Sequence, residues 1–131
     1  MKKPLWIDRE DTLAIHDMML AQHGGLAGVR DFGLLESSLV RPRQLFAYGN
    51  PTLHDLAATY AHGIVQNHPF LDGNKRTGFL AAATFLEVNG IEFTALEADV
   101  VVATLALADK KMSEGEYSSW LRANSRKTST G

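Results

Sequence analysis

Apolar residues recur at helical spacing along most of this chain. Asp8 reads as an N-cap with Glu10 and Asp11 in the first turn, where the positive end of a helix dipole favours acids. Leu13, Ile15, Met18, Met19 and Leu20 then give an apolar stripe that Gly24-Gly25 ends. After a loop from Leu26 to Arg30, a second helix is expected from about Asp31, carrying Leu34, Leu35, Leu39 and Val40, with Pro42 near its end or kinking it. Thr52 caps a third helix and pairs with Asp55 in a capping-box pattern. Its Leu53, Leu56, Ala57, Tyr60 and Ile64 share one face. A fourth is predicted from about Asn74 to Asn89-Gly90, apolar on nearly every side between Phe79 and Leu86 and therefore central and buried. Ile91-Glu92-Phe93 is short enough to be a turn or a single strand. A fifth helix covers roughly Asp99 to Lys110, and a sixth opens at Ser113 with Glu116 and carries Tyr117, Trp120 and Leu121. The pattern predicts an all-α bundle around the fourth helix, as one domain over residues 1–124, with a polar, disordered tail over 125–131.

Composition narrows this picture. At 131 residues there is room for one core, and 45% hydrophobic with 21% charged residues is ordinary for a globular protein. The absence of cysteine excludes disulfides and thiolate metal sites. Lys2 and Lys3 are followed at once by Asp8, Arg9, Glu10 and Asp11 rather than an apolar stretch, so no signal peptide is expected, and no segment is long and apolar enough to span a bilayer. These features lead to an expectation of a cytoplasmic protein without a membrane partner. A net charge of -2 argues against direct DNA binding but leaves room for a local anion site.

One run departs from an ordinary interhelical loop: His68-Pro69-Phe70-Leu71-Asp72-Gly73-Asn74-Lys75-Arg76-Thr77. A helix start offers unpaired N–H groups to phosphate, and Gly73 lets the backbone come close. Gly73, Asn74, Lys75 and Arg76 thus make a candidate nucleotide-phosphate site, with two cations to neutralise oxygens. Asp72 is a candidate ligand for Mg²⁺ riding on those phosphates, and His68 a candidate general base for an attacking hydroxyl. Each has a plainer alternative. A lone loop histidine is more often a cap or solvated, Asp72 or Asn74 could be a simple N-cap, and Lys75-Arg76 an ordinary solvated face. The plainer reading needs four coincidences within ten residues. Phe70 reads as a structural anchor in either case.

The same run resembles the signature of the Fic/Doc family, H-x-F-x-[D/E/N]-[G/A]-N-[G/K]-R. Ile15-His16-Asp17, the stretch from Gly24 to Asp31, and Gly33-Leu34-Leu35-Glu36-Ser37 resemble its death-on-curing (Doc) branch. The resemblance implies a Fic-type helical fold and transfer from ATP to a protein hydroxyl, and for toxin members a cognate, usually Phd-like antitoxin. Members that transfer AMP usually carry Gly where Lys75 stands and a second Arg where Phe79 stands. These departures imply the Doc-type alternative, a kinase that binds ATP the other way round with the γ-phosphate towards His68. The target implied is a Ser or Thr of a translation factor, elongation factor Tu first. An AMP transferase and a catalytically inactive binding module remain as alternatives. The inhibitory [Ser/Thr]-x-x-x-Glu-[Gly/Asn] pattern of many Fic proteins is not met, since Lys110 stands four residues before Glu114-Gly115, so inhibition is expected from another chain.

Other sites fall away. There is no Gly-x-x-x-x-Gly-Lys-[Ser/Thr] loop, no bilobal kinase signature, and no His-Glu-x-x-His zinc spacing. His62 reads as a structural residue. A flap around Tyr48, between Ala47 and Pro51, rests on the resemblance alone.

Overall fold

The computed structural model describes residues 2–128. Six helices follow one another: α1 Arg9–His23, α2 Phe32–Tyr48, α3 Leu53–Asn67, α4 Asn74–Val88, α5 Glu97–Ala108 and α6 Glu114–Ala123. Two three-residue strands, β1 Ile91–Phe93 and β2 Ser125–Lys127, pair antiparallel with Glu92 opposite Arg126. The architecture is the all-α bundle that the hydrophobic pattern predicts.

Local chemistry starts three of the helices as expected. Asp8 with Asp11, Thr52 with Asp55, and Ser113 with Glu116 each form a reciprocal capping box. α3 and α4 form the centre together. α3 is enclosed by α2, α4, α5 and α6, and buries an unbroken run from Leu56 to Ala61. The two backbones approach closely because small residues face each other. A Cβ on Gly78 would lie 2.8 Å from Val65 Cγ2 and 3.1 Å from the Ala61 carbonyl, so only glycine fits there. Tyr60 and Phe85 meet in the core, and Tyr60 Oη both accepts from Ile7 N–H and donates to Ile7 O, tying the N-terminal segment down.

Four local expectations change. Met18 is exposed, and α1 instead buries Thr12, Ile15, His16 and Met19, a polar-containing face with its own helical spacing. Pro42 neither ends nor borders the end of α2. It is buried within the helix, which continues to Tyr48. α5 starts at Glu97, without a side-chain cap, and ends at Ala108. The polar tail does not begin disordered at 125. Ser125–Lys127 finds an edge to pair with in β1, and Arg126 Nε donates to Glu92 at 3.0 Å; residues 129–131 lie outside the described residues. No helix among the described residues is long and apolar enough to cross a membrane.

Candidate active site

α3 ends on His68, which adopts a left-handed conformation (φ 50°, ψ 56°) and returns its N–H to Ile64 O at 3.2 Å. A non-glycine residue there carries a cost of about 1–2 kcal/mol, so its surroundings must hold it. Arg30 does so: Nε donates to His68 O at 2.6 Å and Nη2 to Asn67 O at 2.8 Å. The exposed imidazole has Nδ1 3.3 Å from Gln66 O. A ring donating Nδ1–H to that carbonyl leaves Nε2 unprotonated and free to accept a proton.

The loop beyond is braced from three sides. Val29 bridges Phe70, Leu71 N–H donates to Gly28 O at 3.1 Å, and Arg30 and Asp31 N–H groups both donate to Pro69 O. Inside, Asn74 closes the loop on itself, its Oδ1 accepting from Phe70 N–H at 2.9 Å and Nδ2 donating to Phe70 O at 3.0 Å. Below, the buried His16 ring stacks on Phe70 with centroids 3.9 Å apart, and its Nε2 lies 2.8 Å from Asp72 O. Gly73 takes φ +78°, and a Cβ there would overlap Met19 Cε, so the helix start needs glycine on both counts.

The candidate residues therefore divide. No side chain caps α4, so the Asn74 backbone N–H faces whatever approaches the helix start, while the Asn74 side chain belongs to the loop. Lys75 and Arg76 are exposed in the first turn. Arg76 lies 3.8 Å from Glu97, but with that carboxylate 80% exposed the pair is weak and separable. Asp72 is exposed, with Oδ1 accepting from Gly73 N–H at 2.9 Å and Oδ2 from Leu26 N–H at 3.2 Å. Each oxygen keeps a lone pair, which fits an Mg²⁺ shared with phosphate oxygens, a cation that commonly takes one or two carboxylates and keeps water. Among the described residues no three His, Asp or Glu side chains converge as a metal cage.

Beyond the two cations lies a cavity of about 580 Å³. Gln22, His23, Lys75, Arg76, Glu87, Glu97 and Thr104 are its polar lining, while Phe79, Leu80, Ala83, Phe93, Val101 and Leu105 supply apolar walls. Phe79 and Leu80 are only half-buried, which departs from the expectation of a helix apolar on all sides because buried on all sides. His68 and Asp72 are not among the cavity's walls.

His62, read as structural, and the stretch around Tyr48 sit elsewhere. His62 joins a network in which Glu114 accepts from Arg41 at 3.0 Å and from Thr59 at 2.9 Å, pinning α6 to α2 and α3; burial pushes the imidazole pKa down, against the pull of Glu114. Tyr48 is 90% exposed, and Asn50 and Pro51 line a separate cleft of about 300 Å³ with Asp55, Glu114 and Ser118. His16 and Arg30 had been noticed only as part of a resemblance. The spacing of Thr12, Ile15, His16 and Met19 would have marked His16 as inward-facing; for Arg30 the sequence holds no such signal.

The Fic/DOC family model matches residues 6–86, more than half of the chain. "Toxin Doc" of Mycolicibacterium smegmatis (strain ATCC 700084 / mc(2)155) is 42% identical over 93 residues, covering 69% of this chain and 68% of that protein. "Protein kinase doc" of Escherichia phage P1 is 37% identical over 87 residues, covering 66% of this chain and 69% of that protein.

Proposed function

The chain belongs to the Fic/DOC family, and from that premise we propose that it is the toxin of a toxin–antitoxin pair, a kinase that moves the γ-phosphate of ATP to a Ser or Thr hydroxyl of a translation factor, elongation factor Tu first. The observation that carries this reading is the order of parts along the loop and α4. An exposed imidazole comes first, then an uncapped helix start, then two cations, then an apolar cavity large enough for a nucleoside.

In this arrangement the triphosphate lies along the start of α4, and adenosine enters the cavity against Phe79 and Leu80. An apolar wall suits a base better than distal phosphates, which favours γ-phosphate rather than α-phosphate beside His68. The target hydroxyl oxygen attacks the γ-phosphorus, its proton passes to His68 Nε2, the bond to the β,γ-bridging oxygen breaks, and ADP leaves. The Asn74 backbone N–H at the start of α4 orients the phosphate, Gly73 lets it come close, and Lys75 and Arg76 offset the charge on its oxygens. Asp72 would hold Mg²⁺, which supplies further charge neutralisation on the phosphates. The partner is a Phd-like antitoxin segment that folds on binding, for which the exposed Leu96, just before α5, and Val101, Val102 and Leu105 of α5 offer apolar anchors.

Incubating purified translation factors with ATP and Mg²⁺, labelled at either the α- or γ-phosphate, tests the chemistry by intact mass and by retained label. One added phosphate carrying γ-label is expected. An added AMP would reverse the nucleotide's orientation, and no modification of any factor would remove the transferase. Expression of the chain alone should arrest growth, with relief on co-expression of a neighbouring small reading frame.

A further inference from the structure

Three consecutive carbonyls, those of Asn67, His68 and Pro69, all accept hydrogen bonds from Arg30. The guanidinium takes the first two, and the Arg30 main-chain N–H takes the third at 2.6 Å. We propose that Arg30 is a positioning residue for His68, holding it in the left-handed conformation from which its imidazole presents Nε2 to the attacking hydroxyl. The proposal rests on His68 being the proton acceptor of the transfer reaction.

The physical reason lies in what α3 lacks at its end. Its last carbonyls have no partners within the helix, and the position that would ordinarily hold glycine holds a residue with a Cβ. A planar guanidinium spans two neighbouring carbonyl oxygens at once, and its charge meets the negative end of the helix dipole. The third bond sets the Arg30 backbone in register with the residue just after His68. Asp31 N–H adds to the same Pro69 carbonyl at 3.1 Å and then caps α2, so the grip is anchored to a helix. Without the fork, the His68 peptide can turn towards commoner conformations, and the ring loses its fixed relation to Gln66 O.

Arg30 is exposed, so Arg30→Gln and Arg30→Lys should fold with melting profiles close to that of the wild type. The test is ¹⁵N spectroscopy of histidine-labelled full chain without nucleotide, with the His68 ring signals assigned by their loss in His68→Gln. The wild type should show one neutral tautomer, protonated at Nδ1. Both Arg30 variants should show a mixture, because neither a carboxamide nor an ammonium reproduces the rigid planar fork that spans the two carbonyls. In transfer assays kcat should fall about 10²-fold while KM for ATP stays nearly constant. Ring signals and kcat unchanged in both variants, or in Arg30→Lys alone, would overturn the proposal. If the wild type transfers nothing, the kinase reading fails, and the ring signals still decide what Arg30 does.

Discussion

The side-chain amide of Asn74 brackets the backbone of Phe70, accepting from its N–H at 2.9 Å and donating to its carbonyl at 3.0 Å. Both residues are buried, so these bonds face little competition from water. The pair turns the loop back on the helix that follows it and fixes where Gly73 and the first turn of α4 stand. Asn74→Asp keeps size and one acceptor but aims a second acceptor at the Phe70 carbonyl. A stability loss of about 1–3 kcal/mol is expected by denaturant melting, with a fall in nucleotide affinity. Wild-type stability in that variant would mean that the amide pair does not hold the loop.

His68 is exposed at the far end of the same loop, and its side chain anchors nothing in the core. His68→Ala should therefore leave folding and ATP binding nearly intact while the transfer rate falls by about 10²–10⁴-fold. Rate measurement on the purified variant, beside a nucleotide titration, checks both halves. A variant that modifies its target at the wild-type rate removes His68 from the mechanism.

Lys75 and Arg76 stand between the helix start and the cavity, and the contact of Arg76 with the exposed Glu97 is too weak to occupy it. Alanine at either position should weaken ATP binding much more than adenosine binding, because the lost interaction is with phosphate. Calorimetry with the two ligands separates the cases. Equal losses would place these side chains against the nucleoside instead.

In the proposed reading Asp72 has two tasks, which two readouts on one substitution separate. Its oxygens hold Leu26 N–H and Gly73 N–H, and their remaining lone pairs face solvent. Asp72→Ala should raise the Mg²⁺ concentration needed for half-maximal transfer and loosen the Gly24–Leu26 turn, visible as faster amide exchange at Leu26. An unchanged Mg²⁺ requirement alongside faster exchange would leave the residue with the structural task alone.

Much of this was legible because the signals are local. The capping boxes at Thr52 and Ser113 involve residues three apart, and α3 and α6 begin where those boxes place them. The elements that went unread depend on partners distant in sequence. Ser125–Lys127 is polar and pairs as a strand with the edge that β1 offers, and Pro42 is buried inside a helix that continues past it to Tyr48. The loop from His68 to Thr77 stood out by residue type, but what shapes it did not. Arg30 reaches His68 across 38 residues and His16 reaches Asp72 across 56, and no periodicity encodes either contact. The Asn74 side chain illustrates the same limit, since type alone suggested phosphate and geometry shows a bond to Phe70.

The last prediction concerns pH and lies away from the loop. Burial lowers the pKa of His62 below its ordinary 6.5, and burial together with Arg122 does the same to His54. For such groups the unfolded chain binds more protons than the folded one once pH falls below 6.5, so acid should destabilise the fold there. The acidic groups with lowered pKa, Asp8, Asp55 and Glu116, start from 3.8 or 4.5, so their losses come at lower pH and leave a window for the histidines. Both imidazoles are only partly buried, which keeps the effect modest. The urea midpoint of the wild type should drop between about pH 7 and pH 5, and His62→Gln, which cannot take up a proton, should show a smaller drop. Because Glu114 would still accept from Arg41 and Thr59 in that variant, α6 should stay docked at neutral pH. An equal acid-induced drop in both proteins would assign the titration to other groups and leave His62 a packing residue only.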